Sequence, residues 1–254
     1  MAAEALEQLE RAARRALLGV FDPELDEPIT DLGFVRSIQA SNDGRLTVHL
    51  RLPTSFCSPN FAYLMASDAK DALTALPGAE EVTVLLDDHH DSDMINRGLA
   101  ADAGYRGTFG EEAESDLEEL RVTFRRKAHT AAMERALTSL LRERPELDEG
   151  RLHDVVLGDL PDAPATRALL RRRTALGLGT APADPVLVDE HGHRYPPGET
   201  PLRLRLARAV RISIDGNAHF CRGLLRTRYP ESAADQSPRA WEPARATSPK
   251  ENVS

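Results

Sequence analysis

Between residues 34 and 86 the chain switches between two hydrophobic periods, and this narrows its fold more than any other feature. Leu46, Val48, Leu50 and Leu52 alternate with polar neighbours, the period-two pattern of a half-buried strand. Residues 34–40 before them also read as a strand, and Asn42-Asp43-Gly44 is a turn of the kind that closes hairpins. Pro53 ends the second strand. Residues 61–76 then read as a helix stopped by Pro77-Gly78, and Val82, Val84 and Leu86 alternate again as a third strand. Upstream, residues 4–20 put Leu6, Leu9, Ala13 and Leu17 on one helical face. The order is α-β-β-α-β. Helices of this kind cover one face of a small sheet, so the fold class is α+β, a small sandwich.

The rest of the chain is less regular. His89-His90-Asp91-Ser92-Asp93 opens a short helix through Leu99, and Gly104, Gly107 and Gly110 mark a loop. Ser115 followed by Glu118 is a capping box. It opens a long helix with Leu117, Leu120, Phe124, Leu137, Leu140 and Leu141 as its apolar stripe, ended by Pro145. Residues 146–230 read as a mixed α+β module. It has a helix over 163–176, a hairpin about Asp189-Glu190-His191-Gly192, and a helix over 216–228. Val210, Ile212 and Ile214 favour a strand, with a helix over 202–214 as the alternative. From about 231, Pro, Ser, Ala and charge dominate, which predicts a disordered tail. The expected divisions are 1–88, 89–145 as loop and long-helix connector, 146–230 and 231–254.

Composition excludes some functions. A net charge of −9 argues against a nucleic-acid binder. Arg171-Arg172-Arg173 and the arginines of 203–211 read as solvated faces or a docking patch. No run approaches the roughly 20 apolar residues that span a bilayer, and the first ten residues, MAAEALEQLE, lack a signal-peptide pattern. The expected setting is the cytoplasm, with no membrane partner.

Two cysteines carry most of the chemical interest, and a reducing cytosol disfavours a disulfide between them. Cys57 lies between the second strand and the second helix, where Ser58 or Asn60 can cap. Backbone N–H groups at a helix N-terminus carry partial positive charge. A thiolate is both metal ligand and nucleophile, and soft thiolate suits iron–sulfur clusters, zinc and copper(I). The competing reading is a small buried hydrophobe. Asp31 lies near enough in this reading to tune the thiol. His90 and Asp93, three apart, converge if helical. His219 and Cys221 share a face on a strand but diverge by about 200° on a helix. On a helix Cys221 faces Leu224 and Leu225 as core. The alternative is that Cys221 meets Cys57 in one site, across domains or in a dimer. The candidate metal ligands are therefore Cys57, Cys221, His90, Asp93 and His219, with Asp31 beside the cysteines in binding a cofactor.

Asp22-Pro23-Glu24 after the first helix, Asp31-Leu32-Gly33 entering the first strand, and the single cysteine within residues 54–59 form three blocks in order. In these blocks residues 5–88 resemble the PaaD- and SufT-type family of iron–sulfur assembly domains. That family usually has Cys-Pro; here Ser58 intervenes. The resemblance implies an assembly or maturation factor that holds iron or an iron–sulfur cluster transiently and promotes its insertion into a client metalloenzyme. It points to a multicomponent oxygenase as client and to the iron–sulfur assembly machinery as partner. A cluster normally takes four ligands, so a homodimer, a second domain or the client supplies the remainder. Two other readings stand beside it. One is a metal-free scaffold or chaperone using the long helix. The other is a cysteine-dependent enzyme with Cys57 as nucleophile and His89, His90 or His219 as base.

Overall fold

The structure is a computed structural model and describes residues 2–110 and 117–237. Leu46, Val48 and Leu50 are all buried on β2 (Arg45–Arg51), the central strand of a three-stranded sheet ordered β1-β2-β3. β1 (Val35–Ala40) pairs antiparallel with it, with an irregularity between Val35 and Ser37. β3 (Glu81–Asp87) pairs parallel, from Arg45 opposite Glu81 to Arg51 opposite Asp87. A parallel neighbour requires a crossover, and α2 (Pro59–Thr74) supplies it. Ala13 and Leu17 of α1 (Ala2–Leu17) and Ala62, Ala66, Ala69 and Leu73 of α2 close one core with Phe34, Val84 and Leu86. The α-β-β-α-β order and the α+β class are those the periodicity predicts.

This first core extends past the sheet. α3 (Ser92–Ala100) adds Ile95 and Leu99, and α4 (Gly104–Phe109) adds Phe109. α4 stands where the glycines predict a loop. A second core gathers Ala136, Leu137 and Leu140 of α5 (Leu117–Glu143), Leu169 of α6 (Pro164–Ala175), and Val186 and Leu187. The α5 stripe therefore divides, because Leu117 packs on the first core and Leu137 and Leu140 on the second. The expected capping box begins at Ser115, outside the described residues. Of the expected hairpin, a single antiparallel bridge joins Val188 and Arg194.

The strand expected over Val210, Ile212 and Ile214 is instead part of α7 (Thr200–Arg228). The buried positions decide it. Leu204, Ala207, Ile214, Ala218 and Leu225 recur at helical spacing, whereas Ile212 is 57% exposed. The period-two run is a coincidence of apolar residues on different faces of one helix. At 29 residues, α7 is about 43 Å long. Its Leu204 and Ala207 belong to the second core and its Ala218 and Leu225 to the first.

Ion pairs fix α7 to α5. Glu134, only 2% exposed, takes Arg208 at 3.3 Å and Arg211 at 2.5 Å. Arg211 also reaches Asp215 at 3.1 Å, which pairs with Arg135 at 2.8 Å. After α7 a 3-10 turn, Pro230–Ala234, returns to the sheet. Of the tail expected to be disordered from 231, residues 231–237 pack on the domain and 238–254 lie outside the described residues. Arg51, 1% exposed, explains the packing: its guanidinium binds Glu231 at 2.9 Å and Asp235 at 2.5 Å, and it faces the Tyr229 ring at 5.4 Å.

Candidate functional site

Residues 52–58 join the end of the central strand β2 to α2, and Cys57 sits there half-buried against the first core. Pro59 is the first helical residue, with φ already suited to a helix. Ser58 starts α2 through its carbonyl, which accepts from Phe61 N and Ala62 N at 3.0 Å each; its hydroxyl makes no cap bond. Asn60 accepts from the Tyr105 hydroxyl at 2.5 Å.

His89 holds the turn. Its Nδ1 accepts from Asp91 N at 3.1 Å, so Nε2 carries the proton and donates to the Cys57 carbonyl at 2.8 Å. Thr54 Oγ1 accepts from Phe56 N at 3.2 Å and is hydrogen-bonded with Cys57 Sγ at 3.4 Å, where either group can donate to the thiol form and Thr54 donates to a thiolate.

The acidic turn lies nearby. Asp22 Oδ1 accepts from Glu24 N at 2.9 Å and Leu25 N at 2.8 Å, a side chain standing in for a backbone turn. Burial pushes the Asp22 carboxyl up to about 6 despite those two bonds, and the Glu24 and Glu27 charges add to it. Gly33, at φ +77°, occupies a backbone region that side chains disfavour, and its carbonyl accepts from Arg51 at 3.2 Å.

α7 runs across both loops. Asn217 donates to Glu24 at 3.2 Å. Arg222 donates to the Asp31 carbonyl at 2.7 Å and pairs with Glu27. Arg228 binds Ser55 Oγ at 2.8 Å and the Leu52 carbonyl at 3.2 Å. Cys221 lies within this row, half-buried on the same core as Cys57. Burial pushes its thiol up to about 12, and the charges of Asp22, Cys57 and Glu24 act in the same direction. The two cysteines and the acidic turn thus share one electrostatic neighbourhood, at an edge built from both ends of the chain.

The other expected residues fall elsewhere. His90 precedes α3 and its ring lies 5.9 Å from that of Phe56, so the helical spacing that would bring it to Asp93 does not form. His219 is exposed on α7, about 200° around the helix from Cys221. Asp31 is tied to the C-terminal segment: its carbonyl accepts from Ser237 N at 3.0 Å and its carboxylate from Ser237 Oγ at 3.3 Å. Among the described residues, no group of three or more His, Cys, Asp or Glu gathers to hold a metal ion. The residues that sequence reasoning missed are His89 as the clamp on Cys57, and Arg51 and Arg222 as links to the far end of the chain. The ligand-rich run singled out His89, but nothing local showed what it would hold.

The sequence profile of the family described as iron–sulfur cluster assembly protein matches residues 10–86, from α1 through β3. An uncharacterized protein of Methanocaldococcus jannaschii is 31% identical over 84 residues, which is 33% of this chain and 86% of that protein. The chain belongs to the iron–sulfur cluster assembly protein family. Iron–sulfur cluster carrier proteins of Mycobacterium tuberculosis and Mycobacterium bovis are 38% identical over 79 residues, 31% of this chain. The chain spans only 20% of the length of those carriers. A crystal structure of a domain of unknown function from Bacillus anthracis aligns with 41% of this chain and 99% of its own, at 25% identity and a TM-score of 0.32. No described helix is long and apolar enough to cross a membrane. Helices α3 to α7 lie beyond the residues of the family match.

Proposed function

We propose that this chain is a cytoplasmic carrier or maturation factor. In this reading Cys57 and Cys221 bind iron or an iron–sulfur cluster as cargo, and the helices after β3 present a client metalloenzyme. The observation that carries this reading is the placement of Cys57 on the strand-to-helix turn of an iron–sulfur assembly domain, with the second cysteine of the chain delivered to the same edge by α7.

The side chains fit half of a cluster site. Two cysteines, of which Cys221 would have to give up its proton as the metal binds, are half of the usual four ligands, so a second copy, a client or the assembly machinery supplies the others. An incomplete set suits a carrier, because cargo held by shared ligands leaves when the partner does. His89 fixes the backbone at Cys57, and the Thr54 hydroxyl supplies a hydrogen bond to sulfur. Such bonds to a ligating sulfur tune a cluster. Phe56 beside Cys57 and Phe220 beside Cys221 are 81% and 66% exposed. Exposed aromatic residues are enriched at protein interfaces, which supports this edge as the proposed face for the client. A multicomponent oxygenase remains the proposed client on resemblance alone.

Anaerobic reconstitution with iron and sulfide tests this function, read by visible absorption and metal analysis on the full chain, Cys57→Ala and Cys221→Ala. Uptake by the unmodified chain and its loss in both variants is the expected result. Uptake unchanged in both variants would remove the cysteines as ligands, and no uptake by any chain would leave client binding as the remaining role.

A further inference from the structure

A cleft of about 300 Å³ opens where the end of α1 and the Asp22-Pro23 turn meet α2, α5 and α6. That volume is at the lower limit of small-molecule sites, about 300–1,000 Å³. Its apolar wall includes Phe21, Leu64 and Phe124. Phe124 is itself fixed edge-on to Phe61, with ring centroids 4.9 Å apart.

Seven charged residues line the cleft: Asp22, Asp26, Asp68, Arg121, Arg125, Arg171 and Arg172. Two of the carboxylates are already taken. Asp26 holds Arg172 at 2.8 and 2.6 Å, and Asp68 pairs with Arg121. Asp22 spends Oδ1 on two backbone N–H groups. The arginines are less completely used. Arg121 reaches Glu118 at 3.8 Å besides Asp68, but its Nε is buried with no acceptor among the described residues. A buried donor left without an acceptor is costly. Among the described residues Arg125 pairs with Glu118, at 3.3 Å on the open surface, and its charge also acts on Asp68. Arg171, exposed at the rim, has no hydrogen-bonded carboxylate among the described residues, and the Arg172 charge is its neighbour. The cleft therefore combines surplus positive charge, an unsatisfied donor and aromatic walls.

We propose that this cleft binds a small organic oxyanion, an apolar and preferably aromatic body bearing one terminal carboxylate or phosphate. The oxyanion sits against Arg121, Arg125 and Arg171, and the body packs on Phe21, Leu64 and Phe124. Guanidinium groups bind both oxyanions in the same forked geometry. Neither cysteine lines the cleft, although Asp22 borders both places, so the proposal stands whether or not the chain carries iron.

Isothermal titration of the metal-free full chain tests it with four probes. Benzoate and phenyl phosphate carry the two oxyanions, benzamide lacks the charge, and inorganic phosphate lacks the body. Saturable one-to-one binding of benzoate or phenyl phosphate is expected, with benzamide and inorganic phosphate each weaker by about tenfold or more. Which aromatic anion binds more tightly identifies the head group. Arg171→Gln and Arg125→Gln, both at exposed positions, should each weaken binding by about tenfold while leaving the thermal midpoint unchanged. Absence of saturable binding by either aromatic anion would overturn the proposal. So would equal affinity for benzamide and benzoate, or unchanged affinity in both Arg171→Gln and Arg125→Gln.

Discussion

Replacing Gly33 with alanine tests whether the C-terminal segment closes the cysteine edge. Gly33 and Gly78 both have positive φ, +77° and +87°. A side chain at such an angle costs roughly 1–2 kcal/mol. A Cβ on Gly78 meets nothing within 4 Å, so Gly78→Ala carries that strain alone. A Cβ on Gly33 would lie 2.9 Å from Gln236 Cγ, 3.3 Å from Leu225 Cδ2 and 3.4 Å from the Ser232 carbonyl. Gln236 can swing aside, but Leu225 is fully buried in the first core and has no such freedom. Overpacking of this kind costs a further ~1–3 kcal/mol. Gly33→Ala should therefore destabilise the full chain by about 2–5 kcal/mol and Gly78→Ala by about 1–2 kcal/mol. Urea unfolding reads both, with the slope held constant so that the midpoint shift reports stability. A second readout is local. If Gly33→Ala lifts the end of α7 and the turn after it, alkylation of Cys221 should accelerate while alkylation in Gly78→Ala stays at the parental rate. Equal destabilisation by the two variants, within about 0.5 kcal/mol, would refute the packing of residues 225–236 on Gly33.

Two buried titrations oppose one another. Asp22 titrates near 6 when folded against about 3.9 unfolded, so its contribution is full below about pH 4 and is lost as pH rises to 6. Burial, with the Arg173 and Arg172 charges, holds His129 near 4 against about 6.5 unfolded, so its contribution is present above about 6.5 and lost as pH falls to 4. Relative to the unmodified chain, urea unfolding between pH 4 and 7 should gain stability with rising pH in Asp22→Asn and lose it in His129→Leu, each by up to about 3 kcal/mol. Gly98→Ala would drive a Cβ into the Thr108 side chain and should cost about 1–3 kcal/mol in urea unfolding, only partly recovered in Gly98→Ala with Thr108→Ala, which keeps the Thr108 Cβ position 2.8 Å away. Glu134→Gln removes the buried carboxylate that holds Arg208 and Arg211 and should cost ~2–4 kcal/mol, read by thermal or urea unfolding.

The first 88 residues were legible because their signals are local. Alternation at Leu46, Val48 and Leu50, a hairpin turn at Asn42-Asp43-Gly44 and a Pro-Gly stop after α2 each act within a few residues. The Cys57 turn was legible for the same reason. α7 was not, because Val210, Ile212 and Ile214 mimic a strand and only contacts with two separate cores reveal the helical face. The surroundings of the cysteines were hidden by distance along the chain. Arg51 and Glu231 are 180 residues apart, and Arg222 and Glu27 are 195 apart. No window of sequence joins such partners. The arginines of 203–211 read as a solvated face, yet Arg211 is mostly covered and pairs with a buried carboxylate.

These long-range pairs change what the C-terminal half is. A module joined by a flexible linker would leave the cysteine edge to the first 88 residues. Here one helix is anchored at its N-terminal end by the second core and at its C-terminal end by the first, and Cys221 lies on the latter stretch. Helix α7 is continuous from Thr200 to Arg228, so its position over Cys57 depends on contacts at both ends. The two ends differ in chemistry. Near the second core the helix is held by Glu134 and its arginines; near the first it is held by Arg222, Arg228 and the packing on Gly33. In the proposed reading, a client bound to the helices after β3 would act on the cysteines without touching them, by loosening either set. The acidic turn, Cys57 and Cys221 would separate together, and cargo held by two thiols would lose half its protein ligands in one movement. An edge assembled from both ends of the chain suits a protein whose proposed task is to hold a metal only until its partner takes it.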